Sequence, residues 1–203
     1  MALIGCGPRE VTKMKTDVPA FEGAAGWHAY EKTGFSVWVP DTWKLPEEED
    51  AAAGLSFGDL QNIGSVGAAY GVSQVGDQLP GDFVMQIVDK TQKPIPGEPV
   101  TGVTVSHLHI PGGSTLKNRA EVIEKELMGE ESFDVELPCG PAKKIQIKQK
   151  MITGDEVYRM WFIIVNETDI YTFLFEQTGG QGMALKQNAD NIMQTLRLQP
   201  PTK

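Results

Sequence analysis

Two histidines separated by one residue, His107 and His109, are the residues of this sequence best suited to bind a metal ion. If the segment around them is a β-strand, both imidazoles leave the same face, roughly 7 Å apart. Two such rings can chelate Zn²⁺ or Cu²⁺ when a third ligand joins them, either His28 or a carboxylate. The same alternation suits the half-exposed edge of a strand that binds nothing. The pattern therefore predicts either a metal site or an ordinary strand edge, and we keep both interpretations.

Other patterns of catalytic side chains give little support for an enzyme. The sequence has no His-Glu-x-x-His motif of the metalloproteases. Two glycine-rich strings, at 112–115 and 179–182, precede predicted helices. The first lacks the lysine of a P-loop, and the second lacks the βαβ context of a dinucleotide site, so we interpret both as simple helix starts. We therefore predict a protein with no catalytic activity and no cofactor.

The two cysteines differ in their surroundings. Cys6 ends the string LIGC, which matches the lipobox at which bacterial signal peptides are cut and the new N-terminal cysteine is acylated. Few residues precede this string, so we expect a wrongly assigned start codon or a removed signal peptide. A chance match is the alternative. Cys139 lies in a predicted turn without a neighbouring base, and we expect a packed or partly exposed thiol of no catalytic purpose.

The residues after the lipobox-like string have the composition of a flexible tether, with prolines, mixed charge and no sustained periodicity. We therefore divide the chain into an N-terminal part, 1–26, and a single domain, 27–203. The 203 residues carry a net charge of −9, which argues against a nucleic-acid partner. No run of about 18 apolar residues is present, so a lipid on Cys6 would be the only attachment to a membrane.

Hydrophobic periodicity in the larger part predicts an α+β fold with an antiparallel β-sheet flanked by helices. Helical stripes of apolar residues predict one helix from about 114 to 129, with Ser114 or Thr115 as its N-cap, and another from about 182 to 198. Both helices are expected to pack on sheet faces, the second through Leu185, Ala189, Ile192 and Leu196. Alternating, β-rich runs predict strands at 35–39, 65–74, 83–88, 103–110, 133–137, 142–152, 156–166 and 169–177.

The last four predicted strands have short connections, which force neighbouring strands to pair antiparallel in a β-meander. Within it, the apolar run at 160–165 predicts a central strand covered on both faces. The preceding strand alternates lysines with isoleucines, which predicts one wet and one buried face. The lysines would solvate the sheet and protect its edge, or else meet anionic headgroups or an acidic partner. This predicted basic surface consists of Lys143, Lys144, Lys148 and Lys150.

The order of these elements resembles the Mog/PsbP-like superfamily, and in particular its bacterial lipoprotein-type members. The resemblance covers roughly 27–198 and begins with the strand GFSVWVP at 34–40, followed by Trp43. A mid-chain helix, a β-meander ending in the aromatic strand at 169–175 and a closing helix complete the pattern. The resemblance implies an antiparallel sheet sandwiched between helices, an α/β/α sandwich. It also implies a binding or assembly module without enzymatic activity.

The known partners of this superfamily do not carry over to the present chain. Eukaryotic members bind a small GTPase and photosynthetic members attach to the oxygen-evolving complex, but no partner-contact motif is recognisable here. We therefore expect a non-catalytic lipoprotein of the bacterial cell envelope, facing the periplasm or the exterior, that acts through contact with an unidentified protein. The alternative is a small-ligand or metal-binding module that uses His107 and His109. The sequence leaves the oligomeric state open.

Overall fold

The computed structural model describes residues 25–45, 82–92, 101–112, 115, 117–118, 121, 131–150, 154–179 and 182–199. Among the helices of this part, none has both the length and the apolar character needed to cross a membrane. The strands and the long helix are β1 (Trp27–Lys32), β2 (Phe35–Pro40), β3 (Trp43–Lys44), β4 (Asp82–Asp89), β5 (Gly102–His109), β6 (Glu131–Leu137), β7 (Gly140–Lys150), β8 (Glu156–Asn166), β9 (Asp169–Thr178), α1 (Met183–Thr195) and β10 (Arg197–Leu198).

Seven strands form the larger antiparallel sheet, in the order β3-β4-β5-β9-β8-β7-β6. From β6 to β9 each strand pairs with the next one along the chain, so the predicted β-meander is confirmed. The turn between β8 and β9 has two residues, and Glu167 adopts a φ of 55° there. Tight two-residue hairpins require such positive φ values, because they match the twist of the flanking strands.

The smaller sheet, in the order β1-β2-β10, was only partly predicted. β2 corresponds to the predicted strand at 35–39, whereas β1 and β10 were not foreseen. The closing helix was expected to reach 198, but α1 ends at Thr195 because Leu196 is extended, with φ −58° and ψ 129°. Residues 197–198 pair with β2 instead. The predicted helix end is wrong because the apolar stripe continues through Leu196 after the backbone has left the helix.

Two hydrogen bonds attach the end of α1 to the β1–β2 hairpin. The backbone N–H of Trp38 donates to Thr195 Oγ1 at 2.8 Å. Beyond β10, the backbone N–H of Gln199 donates to the carbonyl oxygen of Gly34 at 2.9 Å. The last described residues of the chain are thus fastened to the turn that precedes β2.

The main hydrophobic core lies between α1 and the sheets. The predicted stripe of α1 is confirmed, because each of its four residues is at most 1% exposed. Aromatic rings dominate the surface that this stripe meets, and edge-to-face contacts between them fix the packing, with centroids 5.5 to 5.8 Å apart. The buried rings of this core include Phe35, Trp43, Phe162, Phe173 and Phe175.

The opposite face of the larger sheet carries a second, smaller apolar cluster. Successive residues of a strand point to opposite faces, so Phe162 enters the main core while Trp161 and Ile163 enter the second cluster. All three are fully buried. The prediction that the run at 160–165 is central and covered on both faces is therefore confirmed. The buried members of the second cluster are Ile145, Trp161, Ile163, Ile170 and Leu174.

The basic surface predicted along β7 is wrong at two of its four positions. The side chains of Lys143 and Lys144 are only 6% and 5% exposed, and they pair with Asp134 and Asp190, respectively. Burial lowers the pKa of Lys144, while the Asp190 carboxylate acts against that shift. A buried ammonium group is tolerated when a carboxylate compensates its charge. The other two lysines are exposed, so the wet surface is confined to the far end of the strand.

Two predicted elements lie largely outside the described residues, namely the strand at 65–74 and the helix at 114–129. Lys117, Asn118 and Glu121 are helical, and the Asn118 N–H donates to Thr115 Oγ1 at 3.2 Å. That contact is the bond from an N-cap side chain to the third helical residue, which agrees with a helix start at this point. The described part of the fold is therefore mostly antiparallel sheet, with one long helix packed against it.

Candidate functional site

The two candidate histidines lie at the end of β5, which the sequence predicted as a strand. They share a face of the larger sheet with Val103 and Val105 of the main core, because alternate residues of a strand point the same way. β5 pairs with β9 in a register that sets His107 opposite Tyr171 and His109 opposite Asp169. The register therefore brings a carboxylate into reach of both imidazoles.

A single carboxylate oxygen joins the two rings. Asp169 Oδ1 lies 2.8 Å from His107 Nε2 and 3.0 Å from His109 Nδ1. Neutral rings suffice for both contacts if His107 carries its proton on Nε2 and His109 carries its proton on Nδ1. We call His107, His109 and Asp169 the histidine cluster. Its side chains are 33%, 56% and 16% exposed, so solvent reaches the rings more easily than the carboxylate.

The surroundings of the histidine cluster keep its carboxylate ionised. Burial acts to raise the pKa of Asp169, but the hydrogen bonds from His109 and His107 outweigh it, so the pKa is lowered. The neighbouring Tyr171 responds in the opposite way: burial, and then the negative charge of Asp169, raise the pKa of its hydroxyl. The cluster therefore combines an ionised carboxylate with two partly exposed imidazole rings.

Tyr171 supports the histidine cluster from within the sheet. Its ring stacks on the His107 imidazole, with centroids 4.9 Å apart and an interplanar angle of 27°. The tyrosine is placed by Phe35, whose ring meets it edge-on at 5.8 Å, and by Gly34. A Cβ atom on Gly34 would lie 2.1 Å from the Tyr171 hydroxyl oxygen, so only glycine fits there. Gly34 also has a φ of 93°, a conformation that glycine adopts without strain.

The structure places His28, the other ligand considered from the sequence, in β1 of the smaller sheet. Its Nδ1 lies 3.2 Å from Asp41 Oδ1, and its ring contacts Tyr30 edge-on. His28 is thus not brought together with the histidine cluster. In the part of the chain that the structure describes, no set of three or more histidine, cysteine, aspartate or glutamate side chains is placed so that it could hold a metal ion.

Asp169 is the member of the histidine cluster that sequence reasoning did not identify. The sequence suggested an unspecified carboxylate as a third ligand, and 60 residues separate Asp169 from His109. The turn between β8 and β9 places Asp169 at the start of its strand, next to the end of β5. The signal that could have found it is the pairing of β5 with β9, which the periodicity of a single strand does not reveal.

The remaining candidate residues contribute no described site. Cys139 is half-buried, and burial raises its pKa to about 11, which makes the thiol a poor nucleophile at neutral pH. Cys6 lies outside the described residues. So does Ser56 of the string GLSFG at 54–58, which matches the Gly-x-Ser-x-Gly pattern of serine hydrolases.

Solved structures of other proteins share this fold. Cyanobacterial PsbP (CyanoP) from Synechocystis sp. PCC 6803 matches with a TM-score of 0.52 and 10% sequence identity, over 89% of this chain and 97% of that chain. A crystal structure from Bacteroides thetaiotaomicron VPI-5482 matches with a TM-score of 0.50 and 12% identity, over 85% of this chain and 48% of that chain. The present chain thus spans about half the length of the second protein. No protein-family model and no curated protein matches the sequence. The chain has a PsbP-like fold.

Proposed function

We propose that this protein is a non-catalytic binding module of the bacterial cell envelope, held to a membrane by a lipid on Cys6 and acting through contact with another protein. The observation that carries the proposal is that the buried charges of the described sheet pair with one another within the fold. The PsbP-like fold supports it, because the family that the sequence resembles consists mainly of binding and assembly modules.

The described sheet buries three cationic side chains, and each has a carboxylate partner within the fold. Arg159 Nε donates to Glu176 Oε1 at 2.8 Å, and both residues are buried. Lys143 and Lys144 have the partners named above. A catalytic centre needs titratable groups directed at a substrate, with their pKa values tuned for proton transfer. Charged groups that neutralise one another inside the sheet stabilise the fold instead.

The surface that best fits a protein contact is the edge of the larger sheet formed by β3 and β4. β3 pairs with β4 at Val88 and Asp89. The large apolar side chains that the described residues expose are Leu45 and Phe83, which are 44% and 39% exposed and both lie at this edge. A partner protein that covered both side chains would remove this apolar surface from water.

The lipid anchor is tested with the gene product made in its bacterial host. We expect mass spectrometry to find acyl chains on Cys6 and the protein to partition with membranes. Cys6→Ser should release it from the membrane fraction, whereas Cys139→Ser should leave it there. An unmodified and uncleaved N-terminus in the native host would reject the anchor.

The protein contact is tested by photo-crosslinking in the same host. A photoreactive side chain in place of Phe83 is expected to give one discrete crosslinked species. The same group in place of the exposed Lys186, on the outer side of α1, is expected to give none. Leu45→Ser should lower the yield at position 83, because it removes apolar surface from the same edge. Equal crosslinking at the two positions would refute a contact at this edge.

A further inference from the structure

A cavity of about 180 Å³ lies where the start of α1 meets the paired strands β7 and β8. The strands line one side of it, at the point where their register sets Gln146 opposite Met160. The N-cap residue of α1 and a lysine one turn later line the other side. We call this space, bounded by Gln146, Tyr158, Met160, Gly182 and Lys186, the α1 cavity.

The volume and the lining of the α1 cavity restrict what it can hold. An apolar cavity of about 150 Å³ in a protein binds benzene, whereas the pockets for drug-sized ligands have about 300 Å³ or more. The lining is mostly apolar, because Met160 belongs to the main core and the ring of Tyr158 packs against that core. The cavity therefore suits one aromatic ring or a short aliphatic chain, which gains free energy by leaving water.

The charges around the α1 cavity favour an anionic group on such a ligand. Arg159, which also lines the cavity, is paired with Glu176. The ammonium group of Lys186 is exposed and makes no ion pair or hydrogen bond in the part of the chain that the structure describes. Asp190, one turn further along α1, is engaged by Lys144. Burial lowers the pKa of Lys144, the Asp190 carboxylate opposes that shift, and the positive charge of Lys186 adds to it. Two ammonium groups thus lie near one carboxylate, and an anion would compensate the excess positive charge.

The aromatic wall of the α1 cavity is held in place by its neighbours. A Cβ atom on Gly182 would lie 2.5 Å from Tyr158 Cδ1, so the ring lies directly against the backbone at the start of α1. The Tyr158 hydroxyl donates to Glu156 Oε2 at 3.4 Å, and Lys148 Nζ lies 5.4 Å from the ring centroid. Lys148 is itself paired with Glu156, so its charge is already compensated. A wall that is ordered beforehand loses little conformational entropy when a ligand binds.

We propose that the α1 cavity binds a small carboxylate of about the size of benzoate, with its apolar body between Tyr158 and Met160 and its carboxylate at the ammonium group of Lys186. Binding is non-covalent and transfers no proton. The site is distinct from the protein contact proposed above, because β5 and β9 separate β8 from the edge formed by β3 and β4. The two proposals can therefore fail independently.

The test is titration of the full chain with sodium benzoate at constant ionic strength, followed by nuclear magnetic resonance of the backbone amides. We expect saturable shifts at residues that line the α1 cavity, with a Kd of about a millimolar or below. Benzamide has the same shape without the charge and should bind at least about threefold more weakly. Acetate has the charge without the ring and should give no saturable shift.

Variants separate the contribution of the charge from that of the cavity. Lys186→Gln should weaken benzoate binding by at least about threefold and leave benzamide binding unchanged. Lys32→Gln removes an exposed lysine from β1 and is the matched control, so it should bind both compounds like the wild type. Gln146→Trp fills the cavity from a half-buried position and should abolish binding of both compounds. Circular dichroism shows whether that variant is folded, and Lys186→Gln decides the question if it is not.

Three results would overturn the proposal. The first is the absence of saturable benzoate binding up to about 20 mM, well above the expected Kd. The second is equal affinity for benzoate in Lys186→Gln and the wild type. The third is equal binding of acetate and benzoate, which would indicate an exposed anion contact without use of the cavity. Crosslinking at position 83 tests the protein contact separately and does not depend on these outcomes.

Discussion

Removing one member of the Arg159–Glu176 pair should cost much more stability than removing both. The side chains are 2% and 9% exposed, face each other directly across β8 and β9, and meet at 2.8 Å. Loss of one partner leaves the other charge buried and uncompensated, which costs about 3–5 kcal/mol. For a chain of this size, each kcal/mol lowers the Tm by roughly 2–4 °C. We therefore expect Arg159→Met or Glu176→Leu to lower the Tm by roughly 6–20 °C.

The double variant Arg159→Met/Glu176→Leu should recover most of that loss, because it buries no unpaired charge. Urea unfolding of the wild type, the two single variants and the double variant gives the coupling energy between the positions. Lys148→Met is the matched control, because Lys148 Nζ lies 2.7 Å from Glu156 Oε2 but both side chains are about half exposed. We expect almost no change in its urea midpoint, since an exposed ion pair contributes little stability. Single losses that simply add in the double variant would refute the view that these charges neutralise each other.

Three further predictions concern smaller features. Gly34→Ala should lower the unfolding free energy by more than about 1–2 kcal/mol, because φ is positive there and the new Cβ would collide with the Tyr171 hydroxyl. Gly26→Ala is the control: φ is 84° but no atom lies within 4 Å of the new Cβ, so its loss of unfolding free energy should be smaller. The stability that ionised Asp169 contributes is present above the pKa of an unfolded aspartate, about 4, and is lost as the pH falls through the lower pKa of the folded state. The urea midpoints of the wild type and of Asp169→Asn should therefore converge as the pH is lowered. Cys139 should react slowly with a disulfide reagent at neutral pH, and fast, complete reaction in the folded state would contradict its raised pKa.

The larger sheet could be predicted because its signals are local. Alternation of apolar and polar residues, short connections and a continuous apolar run at 160–165 identified the meander and its central strand. The two-residue strand β10 has no such signal, because it exists only where residues 197–198 meet β2. Its length is too short for any periodicity to appear.

The errors at β7 and at the histidine cluster have a common physical cause. Alternation shows which residues share a face but not what covers that face, so Lys144 was expected to be wet although α1 brings Asp190 to it. In the same way, the spacing of His107 and His109 identified two rings of the cluster, whereas Asp169 enters through strand register. Contacts between side chains on strands or helices that are distant in sequence cannot be predicted from local patterns.

Gly34 connects the end of the described chain to the histidine cluster. Its carbonyl oxygen holds Gln199, and its missing side chain makes room for the tyrosine on which His107 rests. A displacement of the last strand therefore reaches Gly34 through this hydrogen bond and through the pairing of residues 197–198 with β2. The C-terminal strand is thus linked to His107 through Gly34 and Tyr171, although no described hydrogen bond joins the strand to that histidine.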